Sequence, residues 1–102
     1  MDNESIIECV ELMCDLLPQL RNTLNLTQEG FSKIIGVSRQ SVINMEHKEK
    51  KLTSSILISM ISYFSLKDET ARILYEAGLY RNSFVKNIGF SENILSKIHE
   101  WN

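Results

Sequence analysis

A chain of 102 residues with 43% apolar content, four glycines and one proline has enough material for one buried core without disulfides or metal. Its formal net charge of −2 at pH 7 excludes a chromatin-like coating protein, which would be strongly basic. No window approaches the length of a membrane span, and the acidic opening Met1 to Ser5 is unlike a basic secretion leader, so a cytoplasmic location is expected.

The charge is unevenly spread. Residues 1–20 contain Asp2, Glu4, Glu8, Glu11 and Asp15 and no Lys or Arg. Residues 21–51 carry Arg21, Lys33, Arg39, Lys48, Lys50 and Lys51 against Glu29, Glu46 and Glu49. A negative leading end therefore precedes a positive middle.

From Glu4 to Leu17 the apolar set Ile6, Ile7, Val10, Met13, Cys14 and Leu17 follows a helical period with acids on the other side. Pro18 interrupts it. Proline suits the first turn of a helix, so Asp15 can cap a new helix running to about Leu24; a continuous but kinked helix is the alternative. Leu17, Leu20 and Leu24 are expected to face the core, with Asn25 closing the end.

The stretch LTQEGFSKIIGVSRQSVINM, Leu26 to Met45, holds two short helical patterns joined by a tight corner. Thr27 is positioned to cap the first, in which Phe31, Ile34 and Ile35 recur at helical spacing and Ser32 is small where a second helix would cross. Gly36 stands where a helix end needs the left-handed conformation. Val37 fills the corner and Ser38 caps the second helix. Val42 and Met45 are its inward pair, leaving Arg39, Gln40, Ser41 and Asn44 pointing outward. Helices joined this tightly cross at a large angle, which holds the second one out from the body.

HKEKKLT is a polar connection. Ser54 and Ser55 open an apolar helix with a stripe of Ile56, Leu57, Met60, Ile61 and Phe64, on which the preceding pair is expected to rest. Asp68 caps ETARILYEA, with Ala71, Leu74 and Tyr75 inward and Gly78 ending it. Phe84, Val85 and Ile88 suggest a short helix ending at Gly89, and Ser91 starts another with Ile94, Leu95, Ile98 and Trp101 on one face. With no strand or repeat, the chain reads as all-α, a compact bundle of five to seven short helices.

The segment from about Leu20 to Phe64 resembles a Cro/repressor-type (XRE) helix-turn-helix domain: LR, LTQ, FSKIIGVSRQSV and NME stand in the family's order and spacing. The resemblance implies a lambda-repressor-like DNA-binding fold. Residues 1–18 would be a leading amphipathic acidic helix, 19–66 the DNA-binding core and 67–102 a helical extension for packing or dimerisation. The second helix of the pair would enter the major groove of double-stranded DNA. Ser38 opens that helix, and Arg39, Gln40, Ser41 and Asn44 occupy the family's base-reading positions; glutamine can pair bidentately with adenine, and arginine with guanine or a phosphate. Gln28 matches a residue that clamps a backbone phosphate, and Lys48, Lys50 and Lys51 are placed to contact phosphates. Arg21 and Glu46 match a partly buried ion pair that ties the first helix to the end of the reading helix.

Three residues depart from the family pattern. Gly30 replaces a helix former, at roughly 1 kcal/mol of local helix stability. Lys48 stands where a glycine usually follows the reading helix, so that helix either runs on or ends with strain. Ile43 occupies a normally polar position, suited to half-burial, a thymine methyl group or a partner subunit. The implied function is a sequence-specific transcriptional regulator acting as a homodimer on a palindromic site. The rival is an antitoxin-like or adaptor module that holds a protein partner and binds DNA weakly or never. A ligand- or thiol-sensing repressor has little room in 102 residues.

No enzyme chemistry, cofactor or metal site is expected. His47 and His99 share no ligand spacing with Cys9 and Cys14, and those thiols, five apart on one helix, are expected to be two buried apolar residues that do not bridge each other.

Overall fold

Pro18 does not break the first helix. In the computed structural model, which describes residues 3–49 and 52–90, α1 runs unbroken through it from Asn3 to Thr23. The capped second helix with Asp15 at its start is not formed. Proline inside a helix forfeits one backbone bond and costs about 3 kcal/mol. Fully buried Leu17 and Leu20, on either side of it, supply compensating burial.

The buried stripe of α1 is Cys9, Met13, Leu17 and Leu20, bordered by Cys14. At 100° per residue Ile7 lies about 120° round from Met13. Ile7 is accordingly 58% exposed, against the expectation that it faces inward, and Cys9 takes the core position. Glu4, Glu8, Glu11 and Asp15 stand exposed on the opposite side.

The first three helices are each closed by a residue in the left-handed region. After α1, Asn25 has φ 57°, and Leu26 N donates back to Arg21 O at 2.9 Å. The helix α2, Gln28–Ile35, begins with Thr27 Oγ1 accepting from Gly30 N and ends at Gly36, φ 83°. A side chain at Gly30 would put its Cβ 3.2 Å from that capping hydroxyl, so the glycine permits a close cap. The helix α3, Arg39–Glu46, starts at Ser38, whose hydroxyl accepts from Ser41 N. It stops at once: Lys48 takes φ 59° and Glu49 N reaches back to Asn44 O at 2.8 Å. Of the two outcomes expected for a lysine in the glycine position, the strained end is the one found.

The floor is α4, Ser54–Ser65, capped by Thr53, one residue before the serines expected to open it. Leu57, Met60, Ile61 and Phe64 are fully buried. Phe64 stacks on Phe31 of α2 at 5.4 Å, and Tyr63 meets Phe64 edge-on at the same separation.

The helix α5, Asp68–Glu76, has Lys67 at its cap position with no side-chain bond, so Asp68 sits in the first turn and does not cap it. There its charge favours the helix start electrostatically. Buried Thr70 donates to Phe64 O at 2.6 Å, closing the corner with α4. That contact sets the inward stripe as Thr70, Ala71 and Leu74. Tyr75 is turned out to 43% exposure, correcting its inward assignment.

After Gly78 (φ 85°) a 3-10 turn at Leu79–Arg81 buries Leu79 and Tyr80, whose hydroxyl lies 2.7 Å from Ser65 Oγ. The last described element is α6, Ser83–Asn87; Asn82 caps it and donates to Ser5 O of α1 at 2.9 Å. Phe84 and Val85 are buried, and Gly89 follows with φ 89°. The helix expected around Ile94, Leu95, Ile98 and Trp101 lies outside the described residues, as do Lys50 and Lys51.

The described residues are all helical, and buried side chains from α1 through α6 form one cluster. No described helix is long and apolar enough to cross a membrane.

Candidate functional site

Gly36 and Ser38 together aim α3. The left-handed glycine reverses the chain, with Gly36 N and Val37 N both donating to Ser32 O, and the Ser38 hydroxyl starts the next helix two residues later. Ser32 at the crossing is buried and its own hydroxyl donates to Glu29 O at 2.6 Å, so two helices meet there without an unpaired polar group. Val42 and Met45 are fully buried and anchor α3.

The opposite edge of α3 faces out. Arg39 and Gln40 are exposed, and Asn44, one turn beyond Gln40, is half-buried. Gln40 Nε2 donates to Asn44 Oδ1 at 3.0 Å. This ridge presents a guanidinium, which only donates, and two amides, which donate and accept, with no carboxylate among them. Ser41 is not on it. Its side chain is 8% exposed, and Ser38 Oγ donates to its hydroxyl at 3.0 Å. One position before Val42 and one turn before Met45, Ser41 lies toward the anchored side and belongs to the cap, so its assignment as an outward reader is corrected. Ile43 is half-buried.

At the other end of α3 the Glu46 carboxylate gathers three donors. Arg21 Nε reaches Oε2 at 2.5 Å, Arg21 Nη2 reaches Oε1 at 3.1 Å, and Gln28 Nε2 reaches Oε1 at 3.1 Å. Arg21 also donates through Nη1 to Leu26 O at 2.9 Å. The two charged side chains are only 12% and 8% exposed. One carboxylate thus ties the end of α1, the turn after it, the start of α2 and the end of α3. The Gln28 amide, expected at a phosphate, is half-buried with one hydrogen on Glu46.

Beyond this knot Lys48 pairs with Asp15 of α1, Nζ to Oδ1 at 2.7 Å, with both side chains at least half exposed. Donating to the Asp15 carboxylate raises the Lys48 pKa above the ordinary ammonium range. His47 is exposed with Nδ1 3.0 Å from Ile43 O.

Cys9 and Cys14 are free and buried; burial pushes Cys9 up to about 11 and raises Cys14 as well, so both stay protonated at neutral pH. No group of three or more metal-ligating side chains occurs among the described residues.

Two contacts in this region have no anticipation in the sequence reading, those of Gln28 with Glu46 and of Asp15 with Lys48. They join residues far apart in the chain, where no helical spacing signals them. The bond between Gln40 and Asn44 does have a signal, the i to i+4 separation at which glutamine and asparagine side chains meet on a helix.

The helix-turn-helix family model matches residues 19–69, half of the chain. The match takes in the end of α1 with Arg21, all of α2, α3 and α4, and the first residues of α5. No curated protein and no solved structure matches the chain.

Proposed function

The chain belongs to the helix-turn-helix family of Cro/repressor-type DNA-binding proteins, and from that premise we propose that it is a sequence-specific transcriptional regulator reading duplex DNA with α3. The observation that carries this reading is the outward edge of α3, where Arg39, Gln40 and Asn44 stand on a helix that Val42, Met45 and Glu46 hold fixed. In the major groove Gln40 pairs with adenine through N6 and N7, and Arg39 takes a guanine or a phosphate. Gln28, at the start of α2, keeps one amide hydrogen for a backbone phosphate while the other stays on Glu46. Lys48, Lys50 and Lys51 add phosphate contacts that position the protein without reading sequence.

One reading helix covers only a few base pairs, so the regulator acts as a homodimer on two half-sites about one helical turn apart. Action on cytoplasmic DNA goes with this reading. The acidic side of α1 weakens sequence-blind attraction to DNA while leaving a local basic edge.

Selection of bound sequences from a random duplex pool tests the proposal. The expected result is an enriched palindromic motif. Gln40→Ala should lose about 1–3 kcal/mol of discrimination at one base position per half-site. A pool with no enriched motif sinks the regulator reading. In that event an antitoxin-like or adaptor module is favoured, and it has an observation of its own: an open groove of about 460 Å³ between the start of α1 and the segment after α3, where Ile6, Ile7, Val10 and Leu52 lie beside the charged Glu11, Lys48 and Glu49.

A further inference from the structure

We infer that Asn44 determines what Gln40 reads, and that together they select an adenine beside a base that offers an acceptor, any base but cytosine. The inference rests on the proposed DNA reading and concerns how the ridge of α3 is wired.

A glutamine amide carries one oxygen and two N–H hydrogens, one next to the oxygen and one on the far side. Bidentate pairing with adenine uses the oxygen and the near hydrogen. The far hydrogen is the one a neighbouring side chain can take without covering that edge. Gln40 Nε2 donates to Asn44 Oδ1 at 3.0 Å, one turn along the same exposed ridge. Made through the far hydrogen, this bond fixes the rotation of the Gln40 amide and leaves its adenine-reading edge whole. An exposed glutamine otherwise samples many rotamers and must lose that freedom when it binds. Asn44 is half-buried, so the acceptor that holds Gln40 is itself held.

The same bond restricts Asn44. A free asparagine can pair with adenine by donating and accepting at once. Here Oδ1 is turned back along the helix to Gln40, and the group left for the groove is the Nδ2 amide, a donor. Its base partner must therefore present an acceptor in the major groove, N7 or O6 of guanine, O4 of thymine or N7 of adenine, which leaves out cytosine. Arg39, exposed at the start of the helix, has no such lock among the described residues.

The test repeats the random-pool selection with the full chain as wild type, Asn44→Ala and Asn44→Asp, each first shown to melt as wild type does. Wild type should give adenine at one position and any base but cytosine at a neighbouring one on the same strand. Asn44→Ala should lower the adenine preference by about two- to tenfold, the effect of freeing one long side chain, and erase the neighbouring preference. Asn44→Asp keeps an acceptor for Gln40 but has no donor, so adenine selection should persist while the neighbour shifts toward cytosine, whose N4 donates. A wild-type motif whose adenine position is indifferent to Asn44→Ala overturns this inference and leaves the regulator reading standing. So does a cytosine at the neighbouring position, on the strand that Asn44 contacts, in wild type. A wild-type pool with no motif overturns both.

Discussion

At its first turn α3 turns Arg39 and Gln40 to solvent, bound to nothing outside their own helix among the described residues; at its last turn Glu46 is nearly enclosed by donors from α1 and α2. Two jobs are therefore separated along eight residues. Changes at the first turn should alter which bases are read while the fold stays intact. Changes at the last turn should alter the angle of the whole helix and the stability of the domain. Substitutions at the two ends then act on different observables, and that separation can be broken or sharpened experimentally.

The largest effect is expected from Glu46→Ala. It leaves the Arg21 guanidinium poorly solvated and unpaired, and strips the Gln28 amide of its acceptor. Removing one partner of a buried pair costs about 3–5 kcal/mol, and the residual exposure here puts this case at about 3 kcal/mol. Chemical denaturation should show that loss together with weaker DNA binding of unchanged base preference. An unchanged melting temperature would mean the pair does no orienting. Replacing both partners, Arg21→Met with Glu46→Leu, should recover most of the stability, because an apolar pair carries no desolvation cost.

A smaller effect of opposite sign is expected at Lys48. Its φ of 59° is a conformation that glycine adopts without penalty and lysine does not. Lys48→Gly should raise the melting temperature by a few degrees, because the ion pair it gives up with Asp15 is exposed on both sides and contributes little. DNA affinity should fall at the same time, since a cation is lost from the end of the reading helix. A variant that is both more stable and a weaker binder would show that Lys48 is kept for its charge at a cost in backbone strain. A lower melting temperature would show that the tie to α1 outweighs the strain.

The corner of the molecule was legible because its constraints are local. Thr27, Gly36 and Ser38 act within a turn or two, and Val42 and Met45 are set by a helical period, so composition and spacing suffice. Where a side chain's position depends on which face of its helix the core claims, spacing misled. Ile7 is turned out because the stripe of α1 centres on Met13, and Tyr75 because Thr70 finds a carbonyl on α4. Pro18 looked like a boundary, yet α1 continues past it because the core needs Leu17 and Leu20 on one rod. At the site the types of residue were readable and their engagements were not. Ser41 spends its hydroxyl on the cap, and Gln28 is partly committed to Glu46.

The least change is expected from Asp15→Asn, and it bears most directly on why an acidic chain carries a DNA-reading helix. In the free protein Asp15 occupies Lys48, two residues past the end of α3, and on the proposed reading a phosphate must displace it. Sequence-blind contact with DNA pays for that displacement without the base pairing that offsets it, so the ion pair should act against non-specific binding. Stability should barely move, as for exposed pairs generally. Affinity for random duplex should rise, and its logarithm should fall with the logarithm of salt more steeply by about 0.9, the signature of one added phosphate contact. Adding Lys48→Gln to the same variant should return the slope to the wild-type value. If the slope of Asp15→Asn equals that of wild type, Lys48 lies away from the phosphates, and the contact with α1 serves only to hold the end of α3 in place.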